Sequence, residues 1–425
     1  MLFLEYIKIN GGNTLHGNAS VQGSKNAVLP ILAATILSGK TSRIHNCPKL
    51  SDVKMTVEIL KFLGCDVLVS DNIITVNSSN LNTDFIPYDM MKKLRSSIIF
   101  LGAILSRQKS ASLSFPGGCE IGLRPIDLHL KALKMLGVEI KEEHGYLNCK
   151  LDKFNPCKIH LDFPSVGATE NIMLISAVSK GTTTIVNAAK EPEICDLQNF
   201  LNKMGASIKG AGTSVIVIKG VDKLNDCEHT IIPDRIVAST YLSAAMVTGG
   251  SVLVENVIPN HFGAVTSVFE QCGAKVETFK NALYLKAPKK IKRINLIRTS
   301  PYPGFPTDAQ SLVMSVLSVA DGVSIIKESI FENRFKHASE LIKMGADIRI
   351  EDRIAIINGV LKLAGAQVFA SDLRSGAALV VAALCANGKT EVYNLNFIDR
   401  GYENLVGVLK NLGADIERVD DGNKR

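Results

Sequence analysis

Apolar runs that are opened by a polar residue recur along the chain at intervals of about 70 residues. The opening residues lie near Lys25, Arg95, Ser165, Asp234, Asp308 and Arg374. Runs without a polar face predict helices that are buried on all sides. The clearest of these helices span residues 27–37, 172–178, 238–247, 312–319 and 377–386. The pattern therefore predicts helices that lie inside the protein rather than on its surface.

A glycine that follows a large apolar residue recurs with the same period. The six glycines are Gly64, Gly137, Gly205, Gly273, Gly345 and Gly413, and successive members are 68 to 73 residues apart. Nearly the whole chain is therefore one unit repeated six times. In each unit a β-branched stretch such as 182–186 follows the buried helix. An amphipathic helix ending at the repeat glycine and a hairpin such as 347–357 come next. The predicted unit is helix, strand, helix and two strands.

Length and composition narrow the class of protein. With 425 residues the chain exceeds a single core, so we expect two domains of about three units each. The apolar content of 46% excludes a disordered chain. The apolar runs are shorter than the ~18 residues that a membrane span needs. We expect no signal peptide, because residues 1–6 contain Glu5 and no apolar region follows them.

Charge and cysteine usage point to a small anionic ligand in a reducing compartment. Nine cysteines are scattered without CxxC pairs, which predicts a cytoplasmic protein without a structural zinc site. The formal net charge of +7 suits anionic ligands, but no basic run indicates nucleic acid. The sequence has neither a GxxxxGK loop nor a GxGxxG motif after a strand, which argues against nucleotide hydrolysis and dinucleotide chemistry.

Residues 115–129, FPGGCEIGLRPIDLH, depart from the repeat pattern. Three glycines around Cys119 predict an exposed, mobile loop. Pro125 suits the first turn of the following helix, so Arg124 is expected at a helix N-terminus, where an anion such as phosphate is favoured. A thiol beside this arginine would be stabilised as the reactive thiolate. The local residues support an incidental free cysteine equally well.

This loop and eight further motifs resemble the UDP-N-acetylglucosamine 1-carboxyvinyltransferase family of the EPSP synthase superfamily. The further motifs are GSKNAVLPILAAT at 23–35, PSVGATENIM at 164–173, EPEICD at 191–196, PDRI at 233–236, FPTDAQ at 305–310, FENRFKH at 331–337, DLRSGAAL at 372–379 and DRGYE at 399–403. The resemblance runs from end to end. Small departures from the family pattern are Ser24 and Ala338, and neither is a charged or nucleophilic position.

The resemblance implies an α/β fold of the α+β prism type, which is a two-domain inside-out α/β barrel. Its six repeats of about 70 residues place buried helices inside outer sheets, with the substrates in the cleft between the domains. We expect one domain at residues 25–232, with three repeats and the Cys119 loop. Residues 1–24 and 233–425 form the other, discontinuous domain with three repeats, because residues 6–21 already resemble a strand and a hairpin ahead of the first buried helix.

The activity implied by the resemblance opens peptidoglycan synthesis and therefore serves cell-wall biogenesis, cell shape and division. The enolpyruvyl group of phosphoenolpyruvate is added to the 3′-hydroxyl of UDP-N-acetylglucosamine, and phosphate is lost. These two small molecules are the expected partners, with no nucleic acid or membrane, in the cytoplasm. No cofactor or metal is expected. The resemblance also implies inhibition by fosfomycin, a phosphonate epoxide antibiotic.

Residue roles are likewise carried over from the matching motifs. Cys119 is implied as the general acid toward C3 of phosphoenolpyruvate, and Asp308 as the base toward the sugar hydroxyl; Lys25 and Arg400 complete the catalytic set. Phosphoenolpyruvate is expected to contact Lys25, Asn26, Arg124, Arg374 and Arg400. UDP-N-acetylglucosamine is expected to contact Arg95, Arg124, Pro125, Ile126, Asp127, Leu128, Ser165, Val166, Gly167, Asp308 and Ile330.

The residues alone leave other roles open. Each cation could form an ordinary surface ion pair. Asp308 could cap its helix, and capping remains the leading interpretation for Asp234 and Asp372. Glu191, Glu193 and Arg235 are interpreted as structural, and His129 as orienting the loop rather than catalysing.

Two other functions remain as alternatives. One is the sister transferase, 3-phosphoshikimate 1-carboxyvinyltransferase, which acts on shikimate 3-phosphate and is not expected to carry the Cys119 loop. The other is a paralogue that binds the UDP-sugar without turnover.

Overall fold

A computed structural model describes residues 5–94, 96–114 and 126–420 of the chain. The strands are β1 (Glu5–Asn10), β2 (His16–Ser20), β3 (Thr41–His45), β4 (Asp66–Ser70), β5 (Ile73–Asn77), β6 (Phe85–Ile86), β7 (Ser110–Ser114), β8 (Glu139–Glu143), β9 (Tyr146–Lys150), β10 (Lys158–His160), β11 (Thr182–Val186), β12 (Ser207–Lys209), β13 (Val215–Lys219), β14 (Cys227–Thr230), β15 (Ser251–Glu255), β16 (Lys275–Thr278), β17 (Ala282–Lys286), β18 (Ile297–Arg298), β19 (Val323–Lys327), β20 (Asp347–Glu351), β21 (Ile354–Asn358), β22 (Gln367–Phe369), β23 (Lys389–Tyr393) and β24 (Asp415–Asp420).

The helices are α1 (Lys25–Ala34), α2 (Ser51–Phe62), α3 (Tyr88–Lys93), α4 (Phe100–Gln108), α5 (Asp127–Met135), α6 (Val166–Ala177), α7 (Pro192–Lys203), α8 (Arg235–Thr248), α9 (Gly263–Gln271), α10 (Thr307–Leu317), α11 (Ala338–Lys343), α12 (Leu373–Cys385), α13 (Leu395–Ile398) and α14 (Leu405–Asn411). One-turn 3₁₀ helices lie at Thr35–Leu37, Ser97–Ile99 and Pro259–His261.

The predicted α/β fold of repeated units is confirmed. The described residues form six four-stranded sheets, and each sheet has one parallel and two antiparallel strand pairings. In one sheet β10 runs parallel to β11, and the hairpin of β12 and β13 adds to β11. The predicted unit lacked the short strand before the buried helix, here β10. Strands of this kind have only two to five residues, too few for a clear alternation of apolar and polar positions.

The described chain forms two compact units, one of residues 5–22 and 233–420 and the other of residues 23–94, 96–114 and 126–232. In the first unit the buried helices α8, α10 and α12 contact one another. In the second unit α4 packs against α1 and α6. Each unit has its own apolar core. The strands alternate buried and exposed residues, as in Val215–Lys219, so the sheets cover the helices with one face and expose the other.

Strands from elsewhere in the sequence complete three of the sheets. The strand β14, which precedes α8, pairs with β3 beside the first buried helix. Conversely, β2 precedes α1 but pairs with β15, which follows α8. The N-terminal strand β1 lies between β23 and β24 of the last repeat. Each compact unit therefore contains three complete four-stranded sheets.

The repeat glycines end the amphipathic helices as predicted. All six have φ between +89° and +105°, the left-handed region that glycine adopts without a steric cost. At the first of them, the N–H of Cys65 donates to the carbonyl of Leu60 and that of Gly64 to Lys61. The last carbonyls of the helix are satisfied in this way before the chain turns into the hairpin.

Candidate active site

Lys25 forms a buried ion pair that the sequence did not indicate. It is the first residue of α1, and its Nζ lies 2.8 Å from Oδ2 of Asp52 in the first turn of α2. The two side chains are 11% and 4% exposed, so the alternative of a surface ion pair is wrong for Lys25. Removing one member of such a pair leaves a buried charge, at a cost of about 3–5 kcal/mol. The half-buried Asn26 follows in the same first turn.

The N-terminal turns of α5 and α6 meet in the second unit. Ile126 is the N-cap of α5, and Asp127 and Leu128 begin that helix. In α6 the hydroxyl of the N-cap Ser165 accepts from the N–H of Ala168, 3.3 Å away, and Val166 and Gly167 follow. The ring of His129 packs against Gly167 so closely that a Cβ there would lie 2.9 Å from Cε1. Two helix N-termini, each favouring an anion, are therefore neighbours.

Within the described residues α5 begins at Asp127. The expected positions of Pro125 in the first turn and of Arg124 at the helix N-terminus stay predictions. Arg95, Cys119, Arg124 and Pro125 all lie outside the described residues.

Asp308 is held by two arginines in the first unit. It is the second residue of α10, whose N-cap is Pro306, so the capping alternative is wrong. Its Oδ1 lies 2.9 Å from Nη2 of Arg334 and 3.5 Å from Nε of Arg374. The structure thus brings together Asp308 and Arg374, two of the expected site residues. The Asp308 side chain is 29% exposed, whereas that of Arg334 is only 3% exposed.

Arg334 is a site residue that the sequence analysis did not single out, although it lies in the FENRFKH motif. Its guanidinium donates to the carbonyl of Thr307 over 3.3 and 3.4 Å and lies 3.7 Å from Oδ1 of Asp372. Because Thr307 and Asp308 are the first two residues of α10, Arg334 binds both the backbone and the side chain at this N-terminus.

Arg374 is buried at the start of α12. Burial opposes its charge, but the carboxylate of Asp308 and a hydrogen bond to Tyr402 raise the pKa of Arg374 above its ordinary value. The hydroxyl of Tyr402 also lies 2.7 Å from Oγ1 of Thr240. Within the described part of the chain, Nη1 of Arg374 has no hydrogen-bond partner. A buried guanidinium with an unused donor is suited to an anionic ligand.

Ile330 and Arg400 occupy loops of the same unit. The N–H of Ile330 donates to Oε1 of Glu328 over 2.8 Å. The buried Glu328 also accepts from the hydroxyls of Thr299 and Thr307 and from the N–H of Phe331. This carboxylate, which the sequence analysis missed, ties the loop to the start of α10. Arg400 is half-buried and lies two residues after the end of α13.

The capping predicted for Asp234 and Asp372 is confirmed. Oδ1 of Asp234 accepts from the N–H groups of Ile236 and Val237 at the start of α8. Asp372 accepts from Arg374 and Ser375 at the start of α12, and the Ser375 side chain returns a bond to the cap backbone. This reciprocal capping box fixes the backbone next to Arg374.

Within the described ranges there is neither a cluster of three metal-ligating side chains nor a helix long and apolar enough to cross a membrane.

Comparisons with known proteins identify the family. The family model described as EPSP synthase (3-phosphoshikimate 1-carboxyvinyltransferase) matches residues 9–421. UDP-N-acetylglucosamine 1-carboxyvinyltransferase 2 of Caldanaerobacter subterraneus subsp. tengcongensis is 54% identical over 97% of this chain and 99% of that protein. The chain belongs to the UDP-N-acetylglucosamine 1-carboxyvinyltransferases, within the EPSP synthase family. The protein of the same description from Carboxydothermus hydrogenoformans is 47% identical over 98% of this chain and 100% of that protein.

Solved structures agree on the architecture of this family. The enolpyruvyl transferase NikO from Streptomyces tendae is similar with a TM-score of 0.88 and 25% identity, over 98% of this chain and 99% of that one. EPSP synthase from Acinetobacter baumannii is similar with a TM-score of 0.74 and 18% identity, over 97% of this chain and 99% of that one. The predicted prism fold, with buried helices inside outer sheets, is thereby confirmed.

Proposed function

We propose that the protein transfers the enolpyruvyl group of phosphoenolpyruvate to the 3′-hydroxyl of UDP-N-acetylglucosamine and releases phosphate. This is the first committed step of peptidoglycan synthesis, and we place it in the cytoplasm. The observation that carries the proposal is the 46–54% identity, over nearly the whole chain, to proteins described as UDP-N-acetylglucosamine 1-carboxyvinyltransferases.

Phosphoenolpyruvate carries a phosphate and a carboxylate that cations must hold. We assign phosphoenolpyruvate to Lys25, Arg124 and Arg400. Arg374 is placed near its carboxylate and Asn26 beside the reacting carbon. The unused Nη1 donor of the buried Arg374 supports this assignment. The planar guanidinium also binds carboxylates in a two-point geometry that lysine cannot copy.

The reaction requires that C3 of phosphoenolpyruvate is protonated and later deprotonated and that the sugar hydroxyl gives up its proton. Cys119 gives its proton to C3 of phosphoenolpyruvate, which makes C2 electrophilic, while Asp308 takes the proton of the 3′-hydroxyl as the sugar oxygen bonds to C2. The resulting tetrahedral adduct returns a proton from C3 to the Cys119 thiolate as its bond to the phosphate oxygen breaks, and the proton taken up by Asp308 leaves with the released phosphate. The enol ether and phosphate are the products. The contacts from Arg334 and Arg374 support this role of Asp308, because they fix the orientation of its carboxyl group.

The nucleotide is assigned to Arg95, Arg124, Pro125, the first turn of α5 and Ser165, Val166 and Gly167 of α6, with Ile330 beside the sugar. Two adjacent helix N-termini support binding of a diphosphate without a metal ion. We propose no cofactor and no macromolecular partner for this chemistry.

The sister reaction on shikimate 3-phosphate is the second candidate, because the family model carries its description. The solved EPSP synthases are only 18% identical to this chain, whereas the relatives described as acting on UDP-N-acetylglucosamine reach 54%. The first function is therefore favoured. The filled catalytic positions Lys25, Cys119, Asp308 and Arg400 argue against a binding paralogue without turnover.

Phosphate release with each acceptor tests the proposal. The purified protein is incubated with phosphoenolpyruvate and either UDP-N-acetylglucosamine or shikimate 3-phosphate. We expect phosphate from the first mixture only, and none from the Cys119→Ala variant. Phosphate release from the shikimate 3-phosphate mixture alone would establish the sister activity. No phosphate release from either mixture, together with intact binding of the UDP-sugar, would establish the binding paralogue.

A further inference from the structure

The side chain of Asn171 joins three helical elements in the core of the second unit. It lies in α6 and is fully buried. Its Oδ1 accepts from the N–H of Gly102 in α4 over 2.7 Å, and its Nδ2 donates to the carbonyl of Ile98 over 3.1 Å. The same Nδ2 lies 2.8 Å from Nδ1 of His129 in α5.

These bonds define the state of the histidine. Both N–H groups of the Asn171 amide donate and its oxygen accepts, so the amide has only one orientation that satisfies all three partners. Nδ1 of His129 must therefore accept, which places the proton of the neutral ring on Nε2. Burial lowers the pKa of His129 to about 4, so the ring keeps this form at neutral pH.

Two glycines allow the helices to approach this pair. A Cβ at Gly102 would lie 2.6 Å from the backbone oxygen of Asn171 and 2.8 Å from its Oδ1. On the other side, a Cβ at Gly167 would lie 2.9 Å from the His129 ring. Gly102 and Gly167 both have ordinary helical backbone positions, so close packing rather than an unusual φ requires them. The spacing of α4, α5 and α6 is thus set at Asn171 and His129.

We propose that Asn171 and His129 are positioning residues for the sugar nucleotide, a role that rests on the proposed function. His129 is two residues after Asp127, and Asn171 is five residues after Val166. The pair therefore lies directly behind the two first turns assigned to the nucleotide. It holds the N–H groups of α5 and α6 at the separation that the diphosphate requires. Sites of this kind lose function when their supporting residues allow shifts of about 1 Å.

The test is the variant Asn171→Leu, which keeps the branching and the number of heavy atoms of the side chain but removes all three bonds. We expect it to weaken binding of UDP-N-acetylglucosamine at least tenfold by calorimetry and to raise its KM similarly. The kcat and the KM for phosphoenolpyruvate should stay within threefold of the wild-type values.

The matched control is Ser106→Ala. Ser106 bonds to the carbonyls of Gly102 and Leu174 over 3.0 Å, at the same contact of α4 and α6 but further from the N-termini. This control should lower thermal stability and leave nucleotide affinity unchanged.

A double-mutant cycle decides whether the two residues act as one device. His129→Leu should weaken binding of the nucleotide as much as Asn171→Leu does, and the double variant should lose little further affinity. Normal nucleotide affinity in a folded Asn171→Leu protein, or equal affinity losses in Asn171→Leu and Ser106→Ala, would overturn the proposal. If Asn171→Leu does not fold, His129→Leu decides, because it leaves the bonds of Asn171 to Gly102 and Ile98 intact. A wild-type protein that neither binds nor converts the UDP-sugar would instead overturn the proposed function.

Discussion

Asp308 owes its orientation to residues that are distant in the sequence. Two guanidinium groups contact the same carboxylate oxygen, one from Arg334 and one from Arg374. Two contacts on one oxygen restrict rotation of the carboxyl group, and opposite charges at these distances stabilise it electrostatically. The sequence around Asp308 predicts that this acid lies at the start of a helix, but no neighbouring residue predicts the contacts with Arg334 and Arg374. These contacts form only in the folded chain.

Arg334→Lys should lower kcat by at least tenfold and change the affinity for the UDP-sugar by less than threefold. Lysine keeps the charge but loses the fork that spans Asp308 and the carbonyl of Thr307. Steady-state kinetics and calorimetry measure the two effects. Arg353→Lys is the matched control, since Arg353 forms an exposed pair with Glu332, and exposed pairs contribute little. Equal kcat values in both variants would remove Arg334 from the positioning of Asp308.

Cys119 should be the one cysteine that fosfomycin alkylates at neutral pH. Burial raises the pKa of each cysteine in the described part of the chain, which keeps it a thiol; these are Cys47, Cys65, Cys149, Cys157, Cys195, Cys227, Cys272 and Cys385. The thiolate is the reactive form, and Arg124 lies five positions from Cys119 in the sequence. Mass spectrometry after treatment should place the adduct on Cys119.

The substitution Cys119→Asp should separate transfer from inhibition. Aspartate can supply a proton to C3 but is not a soft nucleophile, so the variant should retain measurable phosphate release and resist fosfomycin. Cys119→Ala should lose transfer. Near-normal turnover of Cys119→Ala, or an adduct on another cysteine, would show that the acid is misassigned.

At the scale of the secondary-structure elements, the repeat glycines explain why the six copies could be found in the sequence. Each needs a left-handed backbone, which restricts the residue to glycine and leaves a regular mark. The pairing of β2 with β15 and of β14 with β3 has no comparable signal in the sequence. Short strands show little alternation of apolar and polar residues, and these partners lie more than 180 positions apart. The sequence therefore predicted the unit and its helices, while the strand pairing depended on contacts between repeats.

Substitutions at two of these glycines distinguish the cost of backbone strain from the cost of a steric clash. A Cβ at Gly345 meets nothing within 4 Å, whereas one at Gly137 would lie 2.3 Å from the carbonyl oxygen of Lys153. Gly345→Ala should cost about 1 kcal/mol in the free energy of unfolding, from the left-handed backbone alone. Gly137→Ala should cost clearly more, because the backbone of Lys153 must move. Urea unfolding of both variants measures the difference, and equal losses would contradict it.

At the scale of the whole molecule, the second and fifth repeats each bury a histidine at the same position. His129 and His337 lie eight residues before Gly137 and Gly345. Burial lowers the pKa of each to about 4, with Asp127 opposing the shift at His129 and Asp372 opposing it at His337, where Arg334 adds to it. Both compact units therefore contain a neutral imidazole that the folded state does not readily protonate. The matching positions of the two histidines can be seen in the sequence, whereas their burial, which lowers their pKa, is seen only in the structure.

These two histidines should consequently destabilise the fold as the pH is lowered from 7 to 5. The unfolded chain takes up protons at histidine near pH 6.5, but these two folded histidines remain neutral until about pH 4, so acid favours unfolding. Over this interval each histidine should lower the free energy of unfolding by about 2 kcal/mol.

Urea unfolding at pH 7 and pH 5 measures this change. His129→Gln and His337→Gln should each reduce the dependence of stability on pH, even if they lower stability at pH 7. His160→Gln, at an exposed position of β10, should keep the wild-type dependence. If all three variants retain that dependence, the two buried imidazoles do not govern the response of the fold to acid.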